Sequence, residues 1–433
     1  MVFGHSAVYD YYILYKTNHT PKVCFKIFRF SMIEIVDKKD CCGCSACVQR
    51  CPKQCIKLKE DNEGFLYPEV EKSTCIDCGL CEKVCPVLHQ GEPRKPLKVY
   101  AVKNLDEEIR RQSSSGGVFT LLAEQVIQEG GVVFGARFDE NWEVKHDFTE
   151  TIEGLAPFRG SKYVQSRIED NYKKAEDFSK QGTKVLFSGT PCQIAGLKRF
   201  LRKEYDNLLT VDFVCHGVPS PGVWRQYLKE TVARMCDKKS VSTDPISKEN
   251  AHVESISFRD KSSGWKKYSF ALTLSATLRS GAKNTVSLYE VFPKNTFMKG
   301  FLADLYLRPS CYACAAKCGK SGSDITIGDL WGAPFIIGND DDDKGTSLIL
   351  AYQENHIVDK SLWIKEIDYQ SAFSNNPSIE KSIEIPKKRF EFYSKCVCSA
   401  SIDDLINKLT HIKFYKRMIR PFIRIVKRII VKI

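Results

Sequence analysis

The sequence lacks any run of eighteen apolar residues, so nothing in it reads as a membrane span. Residues 1 to 31 lack the compact apolar stretch and small-residue cleavage site that export requires, and a reducing, cytoplasmic setting is expected. No G-x-G-x-x-G fingerprint occurs, which leaves a Rossmann dinucleotide site without support. Acidic residues are absent from residues 411 to 433, where eight Lys or Arg fall; most of the net charge of +12 therefore sits in this tail. The remainder is close to neutral, and nucleic-acid binding by the body is not implied.

What is abundant is cysteine, nineteen in 433 residues. Two dense runs stand near the start: "CCGCSACVQRCP", residues 41 to 52, and "CIDCGLCEKVCP", residues 75 to 86. Each fits C-x2-C-x2-C-x3-C-P. Three thiolates of such a loop grip three irons of one cluster, and the fourth reaches across to the other. Cys41, Cys44, Cys47 and Cys85 are thus expected on one 4Fe–4S cluster, and Cys75, Cys78, Cys81 and Cys51 on a second. Zinc also uses C-x2-C pairs, but eight thiolates in a doubled, proline-ended pattern suit iron–sulfur better. Cys42 and Cys55 are off-pattern and read as bystanders.

Behind this module the pattern alternates. "VYAVKN", "VVFGARF", "TKVLFSG" and "LLTVDFVC" read as strands. "VFTLLAEQVIQ", "PCQIAGLKRFL" and "SPGVWRQYLKETVARM" read as helices, which argues an α/β body with a substantial parallel component. "HVESISFRD", "YSFALTLSA" and "TVSLYEVF" read as antiparallel strands, residues 236 to 250 as a surface insertion, and "DDDDK", residues 340 to 344, as a solvated loop. The fold expected is an α+β ferredoxin-like dicluster module followed by an α/β body with a mixed sheet.

Further cysteines are scattered through the body. Cys192 in "FSGTPCQIAGL" follows one buried strand and Cys215 in "VDFVCHGVPSP" ends the next. If those strands are parallel neighbours, both thiols emerge at one carboxyl edge, where α/β sheets build their sites. Cys311 and Cys314 form a C-x2-C pair ahead of a further strand, and Cys318 could replace Cys314. Converging, four such thiolates would serve zinc or a third 4Fe–4S cluster alike; separate structural cysteines are the remaining option. "SSSGG", residues 113 to 117, leads into a helix N-terminus and offers either an anion cradle or a simple serine cap.

The series "GTPCQIAGL", "CHGVPSP", C-x2-C and "SDITIGDLWG", behind a two-cluster module, resembles the beta-subunit family of coenzyme F(420) hydrogenases and dehydrogenases over roughly residues 32 to 350. The resemblance implies a cytoplasmic flavin-dependent iron–sulfur oxidoreductase. It implies a third 4Fe–4S cluster on Cys192, Cys215, Cys311 and Cys314, beside FAD held by Ser114, Ser115, Gly116 and Gly117. A second flavin loop would comprise Gly160, Ser161, Lys162 and Tyr163. The family often has Asp before its glycine pair, and Ser115 here removes that charge. His216 and Lys162 are weak catalytic candidates, His216 as a proton relay.

A ferredoxin-type carrier and an unidentified two-electron substrate, the deazaflavin coenzyme among the options, are the implied partners. Two other readings stand beside this one: a non-enzymatic electron-transfer subunit docked to a larger catalytic partner, and a zinc-stapled binding module fused to a ferredoxin. The expected layout is an extension at 1–31 (with Met32 as the expected native start), a dicluster domain at 32–90, a flavin-binding region at 91–180, a third-cluster region at 181–350, a helical region at 351–410 and a tail at 411–433. In that tail Ile419, Phe422, Ile423, Val426 and Ile430 recur at helical spacing with Arg420, Arg424 and Lys427 on other faces, suited either to anionic lipid or to docking on the body.

Overall fold

The computed structural model describes residues 32–237, 250–277, 283–354, 361–396, 399 and 401–411. The expected N-terminal extension, nearly all of the surface insertion, and the amphipathic tail beyond His411 lie outside the described residues. No helix among the described residues is long and apolar enough to cross a membrane.

The cysteine-rich module comprises α1 (Ala46–Arg50), the hairpin β1 (Ile56–Glu60) and β2 (Leu66–Val70), and α2 (Leu80–Lys83). Left-handed residues precede both short helices, Ser45 (φ 63°) and Gly79 (φ 67°), so the two cysteine runs turn in the same way.

The body follows in chain order: β3 (Lys98–Asn104), α3 (Glu107–Gln112), α4 (Val118–Gln128), β4 (Val132–Phe138), β5 (Val144–Thr149), α5 (Asn171–Lys180), β6 (Val185–Gly189), α6 (Pro191–Leu201), β7 (Leu208–Phe213) and α7 (Pro221–Asp237). Then come β8 (His252–Asp260), β9 (Ser269–Thr277), β10 (Lys283–Val291), α8 (Thr296–Leu302), β11 (Ile325–Asp329), α9 (Ala333–Ile336), β12 (Ser347–Ala351), β13 (Leu362–Glu366), α10 (Tyr369–Asn375), α11 (Lys387–Cys396) and α12 (Ile402–Thr410).

Eight strands form one sheet in the order β13-β3-β12-β11-β7-β6-β4-β5. Its centre, β4, β6, β7 and β11, is parallel, while β5 on one side and β12, β3 and β13 on the other are antiparallel. Strands such as "SLILA" in β12 are apolar on both faces because helices and loops cover both. A three-stranded antiparallel sheet, β10-β9-β8, lays Phe258, Phe270 and Leu272 against Trp224 and Tyr227 of α7. The body is thus a mixed α/β unit behind a ferredoxin-type domain.

The acidic run at 340–344 is exposed at Asp340, Asp342 and Lys344, as expected of a solvated loop, and it is also tied down: Asp342 pairs with the buried Arg110 at 2.5 Å, and Asp341, its side chain 6% exposed, pairs with Lys266 at 2.5 Å. Arg110 also donates to the Gly345 carbonyl, so the run anchors α3 to β12.

Candidate functional site

The first two cysteine runs interlock. Burial raises the Cys47 thiol well above its ordinary range, and Cys41, Cys85 and Cys81 add to the effect; Cys85 also acts on Cys44. Cys85, though in the second run, therefore sits with the first. Conversely Cys51 shares a small cavity with Cys75, Cys78 and Cys81, walled by Pro52, Ile56 and Val70. Cys55 lines that cavity too, 3.4 Å from the Cys51 sulfur. Burial makes Cys44, Cys47, Cys81 and Cys85 resist ionising on their own, and a cationic cluster is a partner that would relieve this.

The second group forms at the carboxyl edge of the parallel strands. β6 and β7 run side by side, and each is followed directly by one of the thiols. Thr190 caps α6 in a reciprocal box with Gln193, Pro191 opens the helix, and Cys192 follows on its first turn. Cys215 lies two residues beyond β7. Cys311 lies in a 3-10 turn, Pro309–Ala313, and Cys314 ends it. Burial raises Cys215, with Cys311, Cys192 and Cys314 all contributing, and burial pushes Cys311 up to about 12 with Cys192 and Cys314 beside it. The four thiols lie within electrostatic range of one another. Cys318 is turned away, its sulfur donating to the Glu380 carbonyl at 3.4 Å. Among the described residues no three His, Cys, Asp or Glu side chains are drawn close enough to hold a single ion.

Cys42 is not a remote bystander. It is buried, Cys44 and Cys192 both act on its thiol, and Cys44 packs on Gly196 of α6, the helix that carries Cys192. Arg308, 1% exposed, locks that junction. It donates to the Cys41 carbonyl at 2.7 Å, the Cys41 sulfur at 3.4 Å, the Leu66 carbonyl at 2.9 Å and the Gln165 amide oxygen at 2.9 Å, while its guanidinium lies 4.3 Å from the Tyr67 ring.

A cleft of about 450 Å³ opens on the other side of Cys215. Both proposed flavin loops line it, through Ser114, Ser115, Gly117, Gly160, Ser161, Lys162 and Tyr163, and so do Cys215 and His216. Ser114 joins the loops by accepting a hydrogen bond from the Ser161 amide at 2.7 Å. Gly117, at φ 86°, turns the chain into α4, whose first residues, Val118, Phe119 and Thr120, also line the cleft. Gly116 does something else. It is not part of the lining; a β-carbon there would stand 2.4 Å from the Val102 carbonyl, so its lack of a side chain lets the turn press on β3.

Lys162 donates to the Pro157 and Arg159 carbonyls at 2.7 and 2.9 Å, and burial, with Arg137 nearby, pushes it down to about 7. His216 bonds Asp304 at 2.6 Å through Nε2.

Other wall residues carry no local sequence signal. Arg259, on β8, pairs with Asp329 at 2.8 Å, donates to the Tyr163 hydroxyl at 3.1 Å and the Ser114 carbonyl at 3.2 Å, and lies 4.1 Å from the Tyr268 ring. It is a fixed cation in the wall. His146 donates from Nε2 to the Ser188 carbonyl at 3.0 Å and leaves Nδ1 buried without a partner; burial pushes it down to about 4, so it is neutral. Residues 375–378 close the far side. Glycines, hydroxyls and a helix start beside an apolar wall suit a phosphate-bearing aromatic cofactor.

Three family models match this chain. The N-terminal model of the coenzyme F420 hydrogenase/dehydrogenase beta subunit covers residues 99–170, the C-terminal model of the same beta subunit covers 182–357, and a 4Fe-4S dicluster domain covers 40–88. Among similar proteins, the F subunit of the F(420)H(2) dehydrogenase of Methanosarcina mazei is 24% identical over 196 residues, 42% of this chain and 55% of that one. The coenzyme F420-dependent sulfite reductase of Methanocaldococcus jannaschii is 25% identical over 198 residues, 45% of this chain and 30% of that one. A 7Fe ferredoxin of Hydrogenibacillus schlegelii is 42% identical over 65 residues, 14% of this chain and 77% of its own length. A chain of the F420-reducing [NiFe] hydrogenase complex of Methanosarcina barkeri aligns with a TM-score of 0.39 at 16% identity, over 71% of this chain and 94% of that one. The chain spans 55% of the length of the dehydrogenase protein and 30% of that of the sulfite reductase. It belongs to the coenzyme F420 hydrogenase/dehydrogenase beta-subunit family, with a ferredoxin-type 4Fe–4S dicluster domain ahead of the family's two regions.

Proposed function

We propose that the protein is an iron–sulfur flavoprotein oxidoreductase that moves electrons between a ferredoxin-type carrier and a two-electron acceptor. One observation carries the reading: Cys215 belongs to the converging thiol group and also lines the cleft formed by the two Ser/Gly loops. In this reading three 4Fe–4S clusters are held, by Cys41, Cys44, Cys47 and Cys85, by Cys75, Cys78, Cys81 and Cys51, and by Cys192, Cys215, Cys311 and Cys314. FAD takes the cleft, against Ser114, Ser115, Gly117, Gly160, Ser161, Lys162 and Tyr163. When bound, the flavin supplies the exchange between one-electron and two-electron chemistry that clusters alone lack.

The chain's own residues do the rest. Ser114 fixes the two loops together, Arg259, ion-paired with Asp329, holds Ser114 and Tyr163 in place through its remaining donors, and Lys162 holds a proton it can release near neutral pH. The acceptor proposed first is the deazaflavin coenzyme that names the family. A second reading, an electron-transfer subunit docked to a larger catalytic partner, is favoured by the likeness to a protein named as one subunit of a dehydrogenase.

Iron, acid-labile sulfide and flavin per chain, measured on anaerobically purified protein, test the proposal. About twelve irons and one FAD support it. About eight irons with zinc and no flavin overturn it. Reduction of a small acceptor by the isolated flavoprotein would separate the enzyme from the docked subunit.

A further inference from the structure

A second cleft, of about 700 Å³, lies away from the first and takes its lining from three separate segments. Lys83 comes from the end of α2, Lys198, Arg199, Arg202 and Lys203 from the last turns of α6 and just beyond, and Lys320 from the loop after Cys318. Arg94 joins them but is used structurally, bonding the Gly319 and Ser323 carbonyls. The acids in the lining are Glu92 and Glu204, and Glu204 pairs with Lys198 at 2.9 Å. Among the described residues, Lys83, Arg199, Arg202, Lys203 and Lys320 pair with no carboxylate. The C-terminal dipole of α6 accounts for some cations on that helix. It does not account for Lys83 and Lys320, brought in from elsewhere to the same concavity.

The position of the cleft is informative. Its wall includes His89, whose amide bonds the Cys85 carbonyl at 3.0 Å, and Ala195, which adjoins the Gly196 that packs on Cys44. The cleft therefore backs directly onto the first thiol set, which in turn packs on α6, the helix that carries Cys192. Around the outer set the charges are mixed instead, with Lys59 paired to Glu69 at 3.3 Å and both exposed.

We infer that this basic cleft is the docking surface for a small acidic electron-carrier protein, an inference that rests on the oxidoreductase reading above. In each encounter one electron leaves the reduced carrier, which is oxidised by one unit, and enters this chain at the first thiol set. No bond or proton is transferred. Such encounters are brief, small in area and steered by charge, and a predominantly basic concavity beside the entry point supplies the steering.

The test uses the full chain, loaded and anaerobic, with a reduced two-cluster ferredoxin of net negative charge, and methyl viologen as a carrier-independent donor. Stopped-flow rates are compared for the wild type, for the triple variant K198E/R202E/K203E and for K53E/K57E beside the outer set. The expected result is a ferredoxin-to-viologen rate ratio at least about tenfold lower in the triple variant at low salt, the difference closing as salt rises. An unchanged ratio in the triple variant overturns the inference, as does a drop confined to K53E/K57E. ATP binding by calorimetry that the triple variant abolishes, with ferredoxin rates intact, would assign the cleft to a small polyanion and also overturn it. A wild type reduced by viologen but never by ferredoxin sinks the docking surface alone. Absence of iron and flavin sinks the oxidoreductase reading before either rate is measured.

Discussion

Gly196 on α6 and Cys44 in the first cysteine run touch so closely that a β-carbon at 196 would stand 2.8 Å from the Cys44 Cβ and 2.9 Å from its sulfur. The Tyr172 hydroxyl, which donates to the Gln193 carbonyl, is 2.9 Å from the same point. The ferredoxin-type domain is therefore seated on the helix that carries Cys192, with the glycine as its contact point. Gly196→Ala is expected to destabilise the protein by about 1–3 kcal/mol through overpacking. It should also lower iron bound at the first set more than at the outer set, read by thermal unfolding and by iron analysis with EPR.

Arg308 makes the complementary prediction. Its guanidinium is fully buried and donates to both the carbonyl and the sulfur of Cys41. Hydrogen bonds and positive charge near a ligand sulfur favour the reduced cluster. Arg308→Gln should lower the midpoint potential of one dicluster centre while leaving the other in place, and cost about 2 kcal/mol from stranded carbonyls. Arg308→Lys, which keeps the charge, should recover part of the potential. Equal shifts at both centres would mean that Arg308 acts only by holding the domains together.

The third thiol group can be dissected one member at a time. Cys192→Ser or Cys314→Ser should take iron from about twelve to about eight per chain. Cys318→Ser should leave iron unchanged, since its sulfur faces the Glu380 carbonyl rather than the group. Iron loss in Cys318→Ser and none in Cys314→Ser would reverse the proposed ligand set.

Lys162 yields a pH dependence. Burial, assisted by Arg137, lowers it from 10.5 to about 7. Between those values the unfolded chain keeps a proton that the folded chain has released, so stability rises with pH through this window. Below about 7 both forms are charged and that contribution is gone. The thermal midpoint should therefore climb between pH 6.5 and pH 8.5, and Lys162→Met should flatten part of the climb. Identical slopes would show that this amine is not desolvated in the folded protein. Lys261, also pushed down to about 7 by burial with Arg110 and Arg259 nearby, supplies the remainder of the effect.

Much of this arrangement was legible locally. "PCQIAGLKRFL" reads as a helix and is one over its whole length, because a cap, a proline and an apolar stripe agree. The parallel pairing of β6 and β7 brings Cys192 and Cys215 to one edge, as their positions after buried strands suggested. What was illegible is what depends on distant partners. Cys42 looked incidental because its meaning comes from Cys192, 150 positions later. Arg308 and Arg259 are ordinary arginines until folding sets one against Cys41 and the other against Asp329 and Tyr163. β5 was missed because "VKHDFT" carries a buried histidine and charges where an edge strand would show cleaner alternation. That the exposed acidic run at 340–344 is also pinned by Arg110 and Lys266 was illegible, because those partners lie far off in sequence.

The order of synthesis gives the junction one more property. Cys41 is translated 267 residues before Arg308, which later closes over it. At typical synthesis rates that interval is on the order of tens of seconds. Through that time the first thiol set has no lid, so it is open to cluster delivery and equally to oxidation. Once Arg308 and α6 are in place, the same thiols lie at an internal joint. A cluster lost afterward must be replaced at thiols that this joint partly covers, so repair of oxygen damage there is expected to be slower than first assembly.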